Sequence, residues 1–240
     1  MRYLLGIDDT DKLESRGTGF HARQLAEFLA GLAQPLGITR HQLLVTPEIP
    51  FTSHNSSACL ALEASPEKET EIWNISREFL LRESAPGSDA GVCLAAWERV
   101  SPCVRAFGAR AKQAVLTQLE AEQTAAQDCF RLEGLTGSGG GVIGALAAVG
   151  LRHAGNDGRF LWLPGLRDLA GVYPVATLCA RGHIDAVRTL GGETLPPAAQ
   201  VDVGAWVRPI LRDGQAILYV EEQGHEWHIL SKEHIKSISD

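Results

Sequence analysis

Residues Gly6-Ile7-Asp8-Asp9-Thr10-Asp11 put three carboxylates within four positions, directly behind the apolar run Tyr3-Leu4-Leu5. Carboxylates this close repel one another, which costs stability unless a cation or hydrogen-bond donors offset it. In an extended chain Asp8 and Asp9 point to opposite faces, so convergence needs a turn, expected to begin at Thr10, that brings Asp11 back toward one of them. Placed at the carboxyl end of a strand, such a cluster offers hard oxygen ligands suited to Mg²⁺, which keeps several waters and takes one or two carboxylates together with substrate phosphates. Asp8, Asp9 and Asp11 are therefore the expected metal ligands and catalytic residues, and the alternative makes Asp9 and Asp11 turn and cap residues. Ser15-Arg16-Gly17-Thr18-Gly19 comes next and leads into an amphipathic segment. A helix N-terminus presents unpaired amides and the positive end of its dipole, so Arg16, Gly17, Thr18 and Gly19 are expected to contact phosphate. Thr18 suits two compatible roles, helix N-cap and phosphoryl acceptor.

Two further stretches have polar or glycine chemistry. His54, Asn55, Ser56 and Ser57 form a polar loop able to hydrogen-bond a nucleotide or amine, with a solvated loop as the alternative. Gly137, Ser138, Gly139, Gly140 and Gly141 precede a small apolar segment and are expected to wall a ligand cleft with backbone amides; tight turning and close helix packing are the alternative. Gly139 to Gly144 also satisfies the GxGxxG dinucleotide fingerprint, which carries weight only after a strand and with an acidic residue ~20 positions on. A GxxxxGK[ST] loop is absent from the sequence, so a P-loop is not the nucleotide site. His183, His225, His228 and His234 have no ligand spacing, and no CxxC pair occurs, so zinc is not expected.

These residues need elements to hold them. Tyr3–Ile7 reads as a buried strand, and Leu25, Phe28, Leu29 and Leu32 repeat at helical spacing over 20–32, ended by Pro35 and Gly37. Strands are expected over 42–46 and 59–64. A helix capped by Ser65 with Pro66 in its first turn then carries Ile72, Ile75 and Phe79 on one face, and a strand comes after it over 92–97. The order is the split βαββαβ arrangement. A helix from Ser101-Pro102, with Phe107, Ala111, Val115 and Leu119 on its apolar side, is expected to end in a polar hinge over 120–128. A second unit then begins with a strand over 130–133 and a helix over 142–149 stopped by Gly150. A strand at 159–163 and an Asp213-Gly214 hairpin between strands 206–211 and 216–221, with a third strand at 225–230, complete the reading. The fold class is α+β: residues 1–127 a ferredoxin-like, kinase-like ATP-binding domain, and residues 128–240 an acceptor-binding α+β domain with a C-terminal antiparallel hairpin.

Composition agrees with a globular chain. The net charge of −7 argues against broad attraction to nucleic acid or anionic membrane, because phosphate binders cluster Lys and Arg. Arg99, Arg105, Arg110 and Lys112 come nearest to a basic patch, at a spacing that fits a solvated helix face. The five cysteines, Cys59, Cys93, Cys103, Cys129 and Cys179, are scattered and read as small buried hydrophobes in a reducing compartment. No secretory signal and no apolar run of the ~20 residues needed to span a bilayer is present, so the expected location is the cytoplasm.

Three ordered stretches together resemble a known family: GIDDTD with RGTG, PEIPFTSHNSSACLAL (47–62) and GLTGSGGGVIGALAAVG (134–150). The set is similar to archaeal isoleucine-tRNA 2-agmatinylcytidine synthetases, which use ATP to activate a cytidine of an isoleucine tRNA and attach agmatine to it. The resemblance implies a kinase-like domain whose aspartates, here Asp8, Asp9 and Asp11, hold Mg²⁺ and ATP, and whose loop threonine matches Thr18. It also places the glycine-rich segment in a ferredoxin-like, agmatine-associated domain. Complete enzymes of the family continue into an OB-like domain and a zinc ribbon that grip tRNA, so a shortened homologue lacking both is expected. Where the family reads Thr-Arg-Gly-Asn-Gly, this chain reads Ser53-His54-Asn55-Ser56-Ser57, replacing a fixed cation by a titratable histidine. The expectation is an ATP- and Mg²⁺-dependent phosphoryl-transfer enzyme acting on an RNA or small-molecule acceptor, followed by amine attack. No DNA or membrane partner is expected. Its competitors are a non-catalytic RNA-binding or regulatory module and an NAD(P)-binding oxidoreductase.

Overall fold

The computed structural model describes residues 1–49 and 54–240. Pro50 to Ser53, part of the second family-like stretch, lie outside the described residues. The chain forms two compact units, Met1–Ala154 and Gly155–Asp240.

The first unit runs β1 (Arg2–Asp8), α1 (Thr18–Leu29), β2 (Gln34–Gln42), β3 (Ser56–Glu63), α2 (Glu69–Glu83), β4 (Gly91–Ala96), α3 (Pro102–Ala111), α4 (Gln118–Gln127), β5 (Arg131–Gly134) and α5 (Val142–Ala154). Within it the strand order is β5-β4-β1-β3-β2, and every pair is antiparallel. The sheet is buried on both faces, which explains why its strands read as unbroken apolar runs instead of alternating ones. On one face Leu4, Cys59, Ala61, Cys93 and Ala95 pack with Val104 and Phe107 of α3 and with α5. Successive side chains alternate, so Tyr3, Leu5 and Ile7 turn to the other face, where α1 packs on β3.

Glycine sets how close α5 comes. A Cβ on Gly6 would overlap the carbonyl of Ala145, and one on Gly150 would overlap that of Val104. Gly150 is therefore an interior contact of α5 with α3, and the helix continues to Ala154 instead of stopping at Gly150.

The second unit contains β6 (Arg159–Trp162), β7 (Val172–Pro174), α6 (Val175–Gly182), β8 (Ala186–Thr189), β9 (Gln200–Asp202), β10 (Ile210–Arg212), β11 (Gln215–Gln223), β12 (Glu226–Ile229) and α7 (Lys232–Ser239). Its strands take the order β6-β10-β11-β12-β9-β7, with β8 parallel to β11. The Asp213-Gly214 hairpin is present, with φ of 51° and 75° at the two residues, as a two-residue primed turn requires. Phe160, Leu178, Val187, Val201, Leu211 and Leu218 belong to its core, and buried Arg159 pairs with Asp240.

Several elements differ from the sequence reading. Pro35 and Gly37 lie inside β2, at a register shift, and do not merely end α1; this strand spans 34–42, not 42–46. The expected hinge over 120–128 is α4, started by a capping box in which Thr117 and Glu120 satisfy each other's backbone amides. α3 ends at Ala111, which leaves Val115 and Leu119 substantially exposed. The boundary placed at 127/128 falls at 154/155, because β5 pairs with β4 and α5 covers β1, β3 and β4. Cys59 and Cys93 are buried as expected, whereas Cys103 and Cys129 are exposed. No helix of the described residues is long and apolar enough to cross a membrane.

Candidate functional site

β1 ends at Asp8, opposite Gly91 of β4. The turn begins one residue earlier than expected, at Asp9, whose φ of 51° is the left-handed conformation that aspartate tolerates better than most residues. That reversal breaks strand alternation and lets Asp8, Asp9 and Asp11 all border one cavity of about 260 Å³. Asp8 lies on the α5 face, where its carboxylate occupies the space a side chain at Gly144 would fill.

The cavity gathers residues from all three sequence stretches. Asp8, Asp9, Asp11 and Thr18 line it, as do His54, Asn55 and Ser56 from the second and Ser138, Gly140 and Gly141 from the third. Leu43, Ile49, Val115, Leu116 and Ile143 supply an apolar wall, and Glu48 and Asp89 add further carboxylates. Among the described residues neither lysine nor arginine borders it.

The carboxylates differ in their surroundings. Burial, together with the neighbouring charge of Asp9, pushes the Asp8 carboxyl up to about 8, against a stabilising hydrogen bond from the Asp9 backbone. Asp9 is also raised, first by burial and then by Asp89, with Lys12 opposing. Asp11 is committed differently: its Oδ1 accepts the Thr18 amide at 3.1 Å and the Thr18 hydroxyl at 2.7 Å. Among the described residues no group of three or more His, Cys, Asp or Glu converges as a ready-made metal cage. Asp8 and Asp9, enclosed and short of compensating charge, are the pair whose electrostatics fit a hard divalent cation that brings its own waters and phosphate oxygens.

Asp89 was not singled out by sequence reasoning. The Ser138 hydroxyl and, next, the Ser138 amide donate to its carboxylate and hold the Asp89 carboxyl below its ordinary value, and its carbonyl accepts the Gly141 amide at 2.8 Å. Thr136 Oγ1 accepts the Ala90 amide at 2.8 Å and donates to the Ser88 carbonyl. The glycine loop is thus laced to the start of β4. Its only sequence signal was an aspartate immediately before a strand.

Other expected residues fall elsewhere. Thr18 is the first residue of α1; the N-cap is Gly17, which has no side chain to cap with. Arg16, Gly17 and Gly19 do not border the cavity, and the Arg16 guanidinium sits 5.0 Å from the Phe20 ring centroid. Ser57 is buried within β3, its hydroxyl without a hydrogen-bond partner among the described residues. Asn55 lines the cavity, but its side-chain amide donates to the Leu44 carbonyl at 2.7 Å. Gly137 and Gly139 border a second, polar depression with Gln118 and Glu122 instead. The GxGxxG match lacks its confirming context, since β5 runs antiparallel to β4, not in a parallel βαβ unit.

No family model matches the chain, and no curated protein matches it in sequence. Solved structures do match. The apo structure of TiaS, a tRNA agmatidine synthetase, aligns with a TM-score of 0.54 at 25% identity, over 62% of this chain and 35% of that one. The complex of TiaS with tRNA and ATP aligns with a TM-score of 0.55 at 26% identity, over 62% and 36%. A complex of TiaS with tRNA, AMPCPP and agmatine gives 0.54 at 25% identity. The chain therefore spans about a third of the length of the solved structures it matches. The resemblance carried by the three sequence stretches is borne out by these structures: the chain is a structural relative of tRNA agmatidine synthetase over 62% of its own length.

Proposed function

We propose that this chain binds ATP with Mg²⁺ in the cavity of its first unit and transfers a phosphoryl group, as an enzyme related to the tRNA agmatidine synthetases. The observation that carries the reading is the convergence of Asp8, Asp9, Asp11 and Thr18 with the glycine loop around one cavity. Likeness to enzymes solved with ATP and with AMPCPP supports it. The β4-β1-β3-β2 order with antiparallel pairing supports describing the first half of the unit as ferredoxin-like.

In this reading Asp8 and Asp9 hold the metal, which when bound supplies charge neutralisation for the polyphosphate. Asp11 takes the proton of the Thr18 hydroxyl, already directed at it, as Thr18 accepts the phosphoryl group. Asp89 positions the Ser138–Gly141 amides along the opposite wall. Leu43, Ile49, Val115, Leu116 and Ile143 give that side an apolar lining, which lowers the local polarity beside the acidic floor. Catalysis is then chiefly positioning and charge stabilisation. The acceptor is an RNA or a small molecule, and a cationic amine suits a cavity bordered, among the described residues, by acids and no fixed positive charge. Calorimetric titration of ATP, with and without Mg²⁺, into the wild type and Asp8→Asn tests the reading. Mg²⁺-dependent heat present only in the wild type is expected, and equal heats in all four titrations would sink it.

A further inference from the structure

Behind the Thr18–Asp11 bond of the proposed phosphoryl transfer lie two buried side-chain contacts, Thr18–Thr10 and Thr10–His21, that the transfer itself does not use. His21 Nδ1 is 2.8 Å from Thr10 Oγ1, Thr10 Oγ1 is 3.2 Å from Thr18 Oγ1, and Thr18 Oγ1 is 2.7 Å from Asp11 Oδ1. Thr10, Thr18 and His21 are 0%, 7% and 5% exposed, so water does not compete for the two Thr10 contacts, whereas the Thr18–Asp11 bond is part-buried at the cavity edge.

The direction of the run comes from proton counting. An ionised carboxylate only accepts, so the single Thr18 hydroxyl proton points to Asp11. At the next contact Thr18 must then accept, which uses the single Thr10 proton. Thr10 in turn must accept from His21, whose Nδ1 therefore carries hydrogen whether the ring is neutral or charged. We propose that His21 and Thr10 are positioning residues for Thr18: their one-way hydrogen-bond chain fixes the Thr18 hydroxyl with its proton on the Asp11 side and one lone pair occupied.

What remains on Thr18 Oγ1 is a second lone pair, approached by the Thr10 amide at 3.4 Å, beyond the usual range of a firm bond. Thr18 borders the cavity, and in the proposed transfer the long amide contact gives way to an electrophile bound there. With a nucleoside triphosphate the balance is simple. The Thr18 Oγ1–phosphorus bond forms, the bond from the terminal phosphorus to the bridging oxygen breaks, the nucleoside diphosphate leaves, and the hydroxyl proton passes to Asp11. Thr10 is held from its other side by the Ala85 amide on its carbonyl at 3.0 Å, which anchors the chain to the segment after α2. Burial lowers the His21 pKa while Asp11 and Glu83 oppose, leaving a neutral ring whose tautomer can be read.

The inference rests on the phosphoryl-transfer reading, and two measurements keep their failures apart. Imidazole ¹⁵N spectra of the intact chain, without nucleotide, are expected to show His21 as the Nδ1–H tautomer, assigned by the peak lost in His21→Asn. In Thr18→Val the Thr10 proton loses its acceptor and turns to His21, so the ring is expected to switch to Nε2–H. An Nε2–H ring in the wild type, or no switch in Thr18→Val, overturns the chain. The second measurement tracks radiolabel from the γ-phosphate of ATP into Thr18. His21→Phe should slow incorporation at least tenfold with KM for ATP unchanged, and His21→Asn, whose amide N–H can stand where Nδ1–H was, should recover most of the rate. Equal loss in both variants overturns the positioning role. The expected tautomers with no incorporation into wild type remove the phosphoryl-transfer reading and leave the hydrogen-bond chain standing.

Discussion

The Asp8 carboxylate and Gly144 interlock: Oδ2 of Asp8 lies where a Cβ at position 144 would be, against the first turn of α5. The end of a strand and the start of a helix thus meet over a missing side chain. The helix presents the positive end of its dipole to the acid, yet burial and Asp9 dominate and keep that acid near neutral.

Gly144→Ala is expected to destabilise the chain although alanine is the better helix former. Propensity favours alanine by about 1 kcal/mol, but overpacking costs about 1–3 kcal/mol, and relief must come from moving Asp8 or the backbone of α5. Urea denaturation together with ATP titration should record lower stability and weaker binding. Gly31→Ala, whose Cβ meets nothing within 4 Å, serves as the near-neutral control.

Asp8 should make stability depend on pH with an unusual sign. Its folded pKa of about 8 lies above the ordinary aspartate value of 3.8. Between these values the unfolded chain has lost the proton that the folded chain retains, so stability falls as pH rises and levels off above pH 8. Below 3.8 the contribution is fully present. Denaturation curves of Asp8→Asn in chelator-containing buffer should lack this slope and gain on the wild type toward pH 8, by about a few kcal/mol at most. Parallel curves for the two proteins across the window would refute the assignment.

Asp89→Asn should loosen the glycine loop without unfolding the unit. Asparagine keeps an oxygen to accept the Ser138 amide but loses the charge that strengthens the bond, and at an exposed contact this costs about 1 kcal/mol, concentrated locally at Ser138. Amide exchange at Ser138 is expected to accelerate, and amides in the middle of β1 are expected to keep their protection.

The placement of β5 and α5 predicts the outcome of truncation. A fragment of residues 1–154 retains the whole sheet of the first unit and its α5 cover, and should unfold cooperatively. A fragment of residues 1–127 exposes Leu4, Cys59, Ala61, Cys93 and Ala95 where α5 packed, and should be insoluble or molten by near-ultraviolet circular dichroism.

The parts of the site legible in the sequence were those with strong local chemistry. Asp8, Asp9, Asp11 and Thr18 cluster within eleven positions, and the glycine stretch declares a loop before a helix. Strand and helix order in the first four strands was also readable, because each element carries its own periodicity or breakers. Harder were features that exist only through tertiary pairing. Pro35 and Gly37 suggested an end to structure, and only pairing with β3 makes them part of a strand. Gly150 resembled a helix stop because its true reason, contact with the Val104 carbonyl, lies forty-six residues away. Asp89 acquires its meaning from the Ser138 amide, and the apolar wall from Leu43 to Ile143 is assembled from four separate segments. No local pattern encodes such meetings.

Every described residue that borders the cavity precedes Ala154, so the chemistry proposed for it is carried by one self-contained cassette. Residues 155–240 supply none of the described side chains around that cavity, so substitutions confined to that stretch leave every wall of it as it is.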